Sequence, residues 1–294
     1  MQPDRYRPIT VPVLDAPGRE LGGGVWEGGG PAILGIQGLT SNHRLFDLIA
    51  RAMPDRRLVA QDARGRASGV AVPCPDSITT HANDLVRLLD QSDIDKAVVV
   101  GHSMGGFIGL RFAQLHPDRV VGLALLDGGP PVKLPGPLRS RWAVKTTFRT
   151  RLPKADRTWD DFDDLWSWLG KRAHGFDQLD PDWIRWAFEI DIAGPPGAMR
   201  LQQDRSVLLE DAAECFTGTW RADALRGLSM PCHIVLAEWG AAPGKRPLYR
   251  AVPDPAALAP GTQVTRIAEA DHAQVLWHPT TVEAIQALSP SSGT

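Results

Sequence analysis

The stretch "VVVGHSMGGFIGL" at residues 98–110 decides the fold. Three valines run into Gly-His-Ser-Met-Gly-Gly, and apolar residues then recur with helical spacing. β-Branched residues suit a strand, and the pattern after Ser103 suits a helix. The junction is a Gly-x-Ser-x-Gly formed by Gly101, Ser103 and Gly105. Such a turn is so tight that its flanking positions have no room for a Cβ. The serine backbone is strained there, and its oxygen is held up and exposed. The helix from Met104 onward points its positive end at that oxygen and favours developing negative charge. Ser103 is therefore the candidate nucleophile.

Working outward, short apolar runs alternate with helical patterns. Strands are expected at residues 32–36, 57–62, 96–101 and 120–127, preceded by two edge strands at 9–14 and 21–27. Helices are expected at 43–53, at 77–91 with a Ser77 N-cap, and at 104–116. Continuously apolar strands alternating with amphipathic helices imply a parallel sheet covered on both faces. At Gly128 the rhythm stops. It resumes with strands at 232–238 and 263–269 and a last helix at 280–288. The expected organisation is a core of residues 1–127 and 226–294, interrupted by a helical cap at 128–225.

A chain of 294 residues, 43% of them hydrophobic, can bury one large core. The net charge of −2 and the lack of a basic run argue against a nucleic-acid partner. Cys74, Cys215 and Cys232 are too widely spaced for a disulfide framework or a zinc site. Reduced thiols, a cytoplasmic location and no metal or cofactor are expected. The opening "MQPDRYRPIT" lacks the apolar region of a signal peptide. No stretch reaches the roughly 18 apolar residues needed to span a bilayer.

Three segments together resemble the α/β-hydrolase fold superfamily. One is the serine turn. "LVAQDARGRASG" (58–69) is similar to the family's Asp-x-Arg-Gly-x-Gly-x-Ser segment, with Arg66 or Ala67 at its usual second glycine. "HPDRVVGLALLD" (116–127) matches the helix-to-strand passage that follows the turn. The resemblance covers nearly the whole chain except the insertion. It implies an α/β fold, with a mostly parallel central sheet flanked by helices and an inserted helical cap.

A serine hydroxyl needs a base within hydrogen-bond reach, and histidine suits that role without tuning. Of eight histidines, His272 stands just after the last strand, where the resemblance places the catalytic histidine. Asp271 precedes it where a glycine is more usual. His102 reads as shaping the turn, while His43, His174 and His233 have no helpful context. The third member must be a carboxylate that orients the imidazole. Its usual slot lies after the penultimate strand, but no acid follows Gly240 until Asp254. A subset of the fold, including lactonases that open the zearalenone ring, carries the acid one strand earlier. That position is Asp127 here. Glu238 and Asp254 are the alternatives, and the bland reading of Asp127 is a cap for the Gly128-Gly129 turn.

The resemblance implies two oxyanion donors, the N–H groups of Met104 and Leu39. Leu39 belongs to Gln37-Gly38-Leu39, where the family usually writes His-Gly-x. Gly38 and the insertion's Trp166, Trp183 and Trp186 are expected to contact substrate. Arg149, Arg151, Arg185 and Arg200 read as solvated, with a carboxylate-binding arginine among them left open. The expected activity is a serine hydrolase that cleaves an apolar or aromatic ester or lactone through an acyl-enzyme. Ser rather than Asp at the nucleophile argues against epoxide hydrolase and haloalkane dehalogenase chemistry. The alternatives are a C–C bond (β-diketone) hydrolase or acyltransferase on the same triad, and a non-catalytic ligand receptor. A small-molecule substrate is the expected partner. No membrane partner is expected, and a homodimer stays open.

Overall fold

A computed structural model describes residues 3–154, 157–170 and 174–288. The chain opens with the antiparallel pair β1 (Tyr6–Pro12) and β2 (Glu20–Trp26). β3 (Gly30–Ile36), α1 (Asp47–Ala52), β4 (Arg56–Gln61), α2 (Ser77–Gln91), β5 (Ala97–His102), α3 (Met104–Leu115) and β6 (Val120–Leu126) follow. The inserted segment holds α4 (Arg141–Arg151), α5 (Phe162–Gly170), α6 (Pro181–Phe188), the short pair β7 (Ile192–Ala193) and β8 (Arg200–Leu201), α7 (Arg205–Thr217) and α8 (Arg221–Arg226). The chain then returns through β9 (Cys232–Ala237), β10 (Gln263–Ile267) and α9 (Pro279–Ala287).

Eight strands form one sheet in the order β1-β2-β4-β3-β5-β6-β9-β10. β2 pairs antiparallel with both β1 and β4, and every pairing from β4 to β10 is parallel. The strand expected at 21–27 is thus interior; of that first pair only β1 lies at an edge, and β10 forms the opposite edge. Along β5, side chains alternate between faces. Val98 and Val100 join the apolar cluster on one face with Ala124, Leu126 and Ile285. Val99 joins the other with Leu110, Leu123 and Ile234. Both faces are covered, which explains why these strands read as unbroken apolar runs.

Two local expectations change. Residues 43–53 are not one helix: a 3-10 turn over His43–Phe46, capped by the Asn42 side chain, precedes α1. Ser77 does not cap α2. It is the first helical residue, with φ of 39°, and its hydroxyl donates to Asp211 instead. The insertion is also more than a roof, because α7 packs against α2, α3 and α4, and α8 against α3. Among the described residues no helix is long and apolar enough to cross a membrane.

Candidate active site

The strand order reverses between β3 and β5, and loops at the carboxyl ends of such neighbours leave a crevice. The serine turn sits there. Ser103 has φ of 57° and ψ of −118°, a strained conformation for a residue with a side chain. Its amide donates to the Leu126 carbonyl at 2.8 Å. A Cβ on Gly101 would lie 2.1 Å from the Gly105 carbonyl oxygen, and one on Gly105 would lie 1.9 Å from that of Ile36. The two glycines are therefore steric requirements of this bend. α3 begins at the next residue, Met104, so the N-terminal end of the helix lies against Ser103.

His272 reaches Ser103 from the loop after β10. Its Nε2 lies 2.9 Å from the Ser103 Oγ, and its Nδ1–H donates to Asp127 Oδ2 at 2.5 Å. Asp127 is wholly buried at the end of β6, with φ of 42°. It is fastened to β9 twice: its amide donates to the Val235 carbonyl at 2.7 Å, and its Oδ1 accepts the Ala237 amide at 3.2 Å. Burial pushes the His272 imidazole toward neutrality. The bond to Asp127 and the charges of Asp127 and Asp271 outweigh burial, so its pKa is raised above the ordinary 6.5. The alternative acids are engaged elsewhere. Glu238 is exposed and accepts the Glu269 amide, and Asp254 caps a short turn through the Ala256 amide.

Two further side chains hold the loops around Ser103 and His272: His102, expected to shape the turn, and Asp271. His102 Nε2–H donates to the His272 carbonyl at 2.7 Å, which ties the serine turn to the loop bearing the base. Burial, then the charge of His272, push the His102 pKa down to about 4, so this second imidazole stays neutral. Asp271 accepts the Ala273 and Gln274 amides at 2.9 Å each and bonds to His174 Nδ1 at 2.9 Å. These bonds fix the turn that presents His272. The spacing Asp271-Ala273-Gln274 carried that signal locally, whereas His174 is 97 positions away and carried none.

Leu39 and Met104 line the same cavity as Ser103 and His272. A Cβ on Gly38 would lie 3.3 Å from the Ser103 Cβ, so the loop at residues 37–39 presses against Ser103. Gln37 holds this loop by donating from Nε2 to the Ser41 carbonyl at 3.0 Å. Arg66 holds it from the other side. Its buried guanidinium donates to the Leu39 carbonyl at 2.8 Å, to the Arg64 carbonyl at 2.6 Å and to Asp211 Oδ2 at 2.5 Å, and it also touches the Met104 sulfur. Asp211, brought in by α7, further accepts from Ser77 at 2.8 Å and pairs with His81 at 3.1 Å. Burial alone would raise the Asp211 pKa, but His81 and Arg66 hold it well below the carboxylate range, and His81 is pushed up to about 9.

Cys74, His81 and Asp211 bring three potential metal-ligand atoms within 4.8 Å of one another. Both Asp211 oxygens already accept protein hydrogen bonds, and the Arg66 guanidinium beside them opposes a second cation. The donor set fits an internal ion-pair network better than a metal.

The cavity above Ser103 has a volume of about 460 Å³. Phe107, Phe148, Phe216 and Leu248 give it apolar walls, supplied largely by α3, α4, α7 and the loop after β9. The structure does not bring Trp166, Trp183 or Trp186 to it. Trp183 donates from its indole to Asp47 Oδ2 at 2.8 Å, and Trp186 packs edge-on against Tyr6 beneath the Arg44 guanidinium. Trp166 lies among Phe162, Phe176 and Phe188. Trp183 and Trp186 fasten α6 to the β1 side of the core, whereas Trp166 joins α5 to α6 through Phe188 and to Phe176.

A family model described as "alpha/beta hydrolase fold" matches residues 29–279. The chain is 34% identical over 146 residues to the lipase LipV of Mycobacterium tuberculosis, covering 46% of this chain and 54% of that protein. It is 38% identical over 107 residues to epoxide hydrolase 2 of Siraitia grosvenorii, covering 34% and 33%. The matched stretches thus span about half or less of these curated relatives. Among solved structures, E-2-(acetamidomethylene)succinate hydrolase superposes with a TM-score of 0.71 at 20% identity, over 96% of this chain and 98% of that one.

Proposed function

The chain belongs to the α/β-hydrolase fold family, and from that premise we propose that it is a serine hydrolase cleaving a carboxylic ester or lactone of an apolar substrate. One observation carries this reading: an unbroken hydrogen-bonded line from Ser103 Oγ through His272 to the buried Asp127. Ser103 attacks the carbonyl carbon while His272 Nε2 takes its proton, and Asp127 stabilises the resulting imidazolium. The N–H groups of Leu39 and Met104 receive the oxyanion, each contributing about 3 kcal/mol to lowering the barrier. The imidazolium then protonates the departing alkoxide, and a water activated by His272 releases the acid. The segment at 128–225 acts as a cap through α4 and α7, whose apolar side chains receive the acyl group. The name of the lipase among the relatives is in keeping with this chemistry.

The test is labelling with a fluorophosphonate, read by mass spectrometry, beside turnover of 4-nitrophenyl esters. Ser103 takes the label, and Ser103→Ala abolishes both labelling and turnover. An unlabelled Ser103 in folded protein, or full turnover by Ser103→Ala, removes the reading.

A further inference from the structure

The cavity above Ser103 is apolar inside and cationic at its mouth. Lys133, Arg151 and Arg246 line it, and all three are exposed, whereas no Asp or Glu among the described residues lines it. They come from separate segments: the loop after β6, the end of α4 and the loop after β9. The whole chain carries a net charge of −2, so this convergence does not follow from general basicity.

None of the three is ion-paired among the described residues, and Arg151 only lies over the Phe148 ring, 5.5 Å from its centroid. The same helix shows the contrast. Arg141 and Lys145 of α4 are both paired, with Glu210 and Glu214 of α7. The loop bearing Arg246 is tied to the proposed base. The Gly240 amide donates to the Lys245 carbonyl at 2.8 Å, and the Gly240 carbonyl accepts the His272 amide at 2.9 Å. With Asp127 engaged by His272, this loop supplies no carboxylate to the site and offers a cation instead.

Resting on the serine-hydrolase reading, we propose that the substrate carries an anionic head, a carboxylate or a phosphate, separated by an apolar chain from the scissile carbonyl. Lys133, Arg151 and Arg246 receive that head at the mouth while the chain fills the cavity. Guanidinium groups match both oxyanions in geometry, and the lysine adds a point charge. Each contact is exposed and contributes a factor of about five at most. Three together give roughly tenfold selectivity, which salt weakens.

Calorimetry on the whole protein tests this without turnover, with octanoate, octyl phosphate and octanamide as probes. At least one anion binds about tenfold more tightly than the amide, and the preference shrinks at high salt and in Lys133→Gln/Arg151→Gln/Arg246→Gln. The better of the two anions identifies the head group. Equal binding of amide and anions, or a preference that survives the triple substitution, overturns the proposal. In parallel, kcat/KM for the 4-nitrophenyl monoester of glutarate exceeds that for neutral 4-nitrophenyl butyrate by about tenfold and falls level with it in the triple variant, whereas equal values in the parent overturn the proposal. Loss of fluorophosphonate labelling bears only on the hydrolase reading, since calorimetry still decides whether the anion binds.

Discussion

Asp127 and His272 stand 145 positions apart, yet their side chains meet at 2.5 Å. Asp127 extends from β6, the direct neighbour of the strand that carries Ser103, and both residues adopt a positive φ at the strand end. Ser103, the proposed nucleophile, and Asp127 therefore come from adjacent strand ends of one sheet, and only the imidazole arrives on a loop.

This arrangement makes the acid testable by an isosteric change. Asp127→Asn keeps the shape but cannot stabilise the imidazolium, so kcat falls by about four orders of magnitude. Glu238→Gln leaves kcat within about twofold, because this exposed carboxylate meets only the Glu269 amide. Steady-state kinetics with a 4-nitrophenyl ester compares them, and the reverse ranking would refute the assignment of Asp127.

His272 must be neutral to take the serine proton, and its pKa is raised above 6.5. The acid limb of kcat/KM therefore inflects above 6.5, with activity rising as pH rises through that point. In Asp127→Asn the hydrogen bond to a carboxylate is gone, and the limb of the residual activity moves to lower pH. A pH profile of both proteins checks this, and an unmoved limb shows that the titrating group is not His272.

Arg66 joins the Leu39 carbonyl to the Asp211 carboxylate. Lysine keeps the charge but not the planar fork, so Arg66→Lys loosens the Leu39 loop. The expected result is a kcat lower by about one to two orders of magnitude with KM changed little, since an oxyanion donor acts mainly in the transition state. A thermal melt beside the kinetics separates this from unfolding. A rise in KM at constant kcat would assign Arg66 to substrate binding instead.

Asp191 is buried beside Asn42, and burial, with the nearby Asp62 charge, raises its pKa to about 8. Its folded value exceeds its unfolded one. Its contribution is thus fully present below about pH 4 and is lost as pH rises through about 8. Asp191→Asn removes that loss. The melting temperature of the variant exceeds that of the parent by a margin that widens from pH 5 to pH 8, reaching a few kcal/mol in stability. A constant margin across that range would show that Asp191 does not titrate in it.

The fold was legible because its signals are local. Valine runs, the glycine-flanked serine and the break at Gly128 each lie within a dozen residues. The meeting of Ser103, Asp127 and His272 was legible because a strand end and the loop after the last strand fix where such side chains arrive. The Arg66–Asp211 pair was not, since its members lie 145 positions apart and a buried ion pair leaves no periodicity. The tryptophans misled for a related reason. Aromatic content announces buried area, while only tertiary contacts say which surface it covers. Trp183 and Trp186, three apart on α6 with Ile184 and Ala187 also buried, form an ordinary packing stripe.

That misplacement has a spectroscopic consequence. The indoles of Trp166, Trp183 and Trp186 are wedged among Tyr6, Asp47 and the phenyl rings of α5 and α6, outside the lining of the chamber over Ser103. Their ultraviolet emission reads whether that flank is folded, whereas Trp239, next to the cavity-lining Gly240, is the indole placed to respond when the chamber fills.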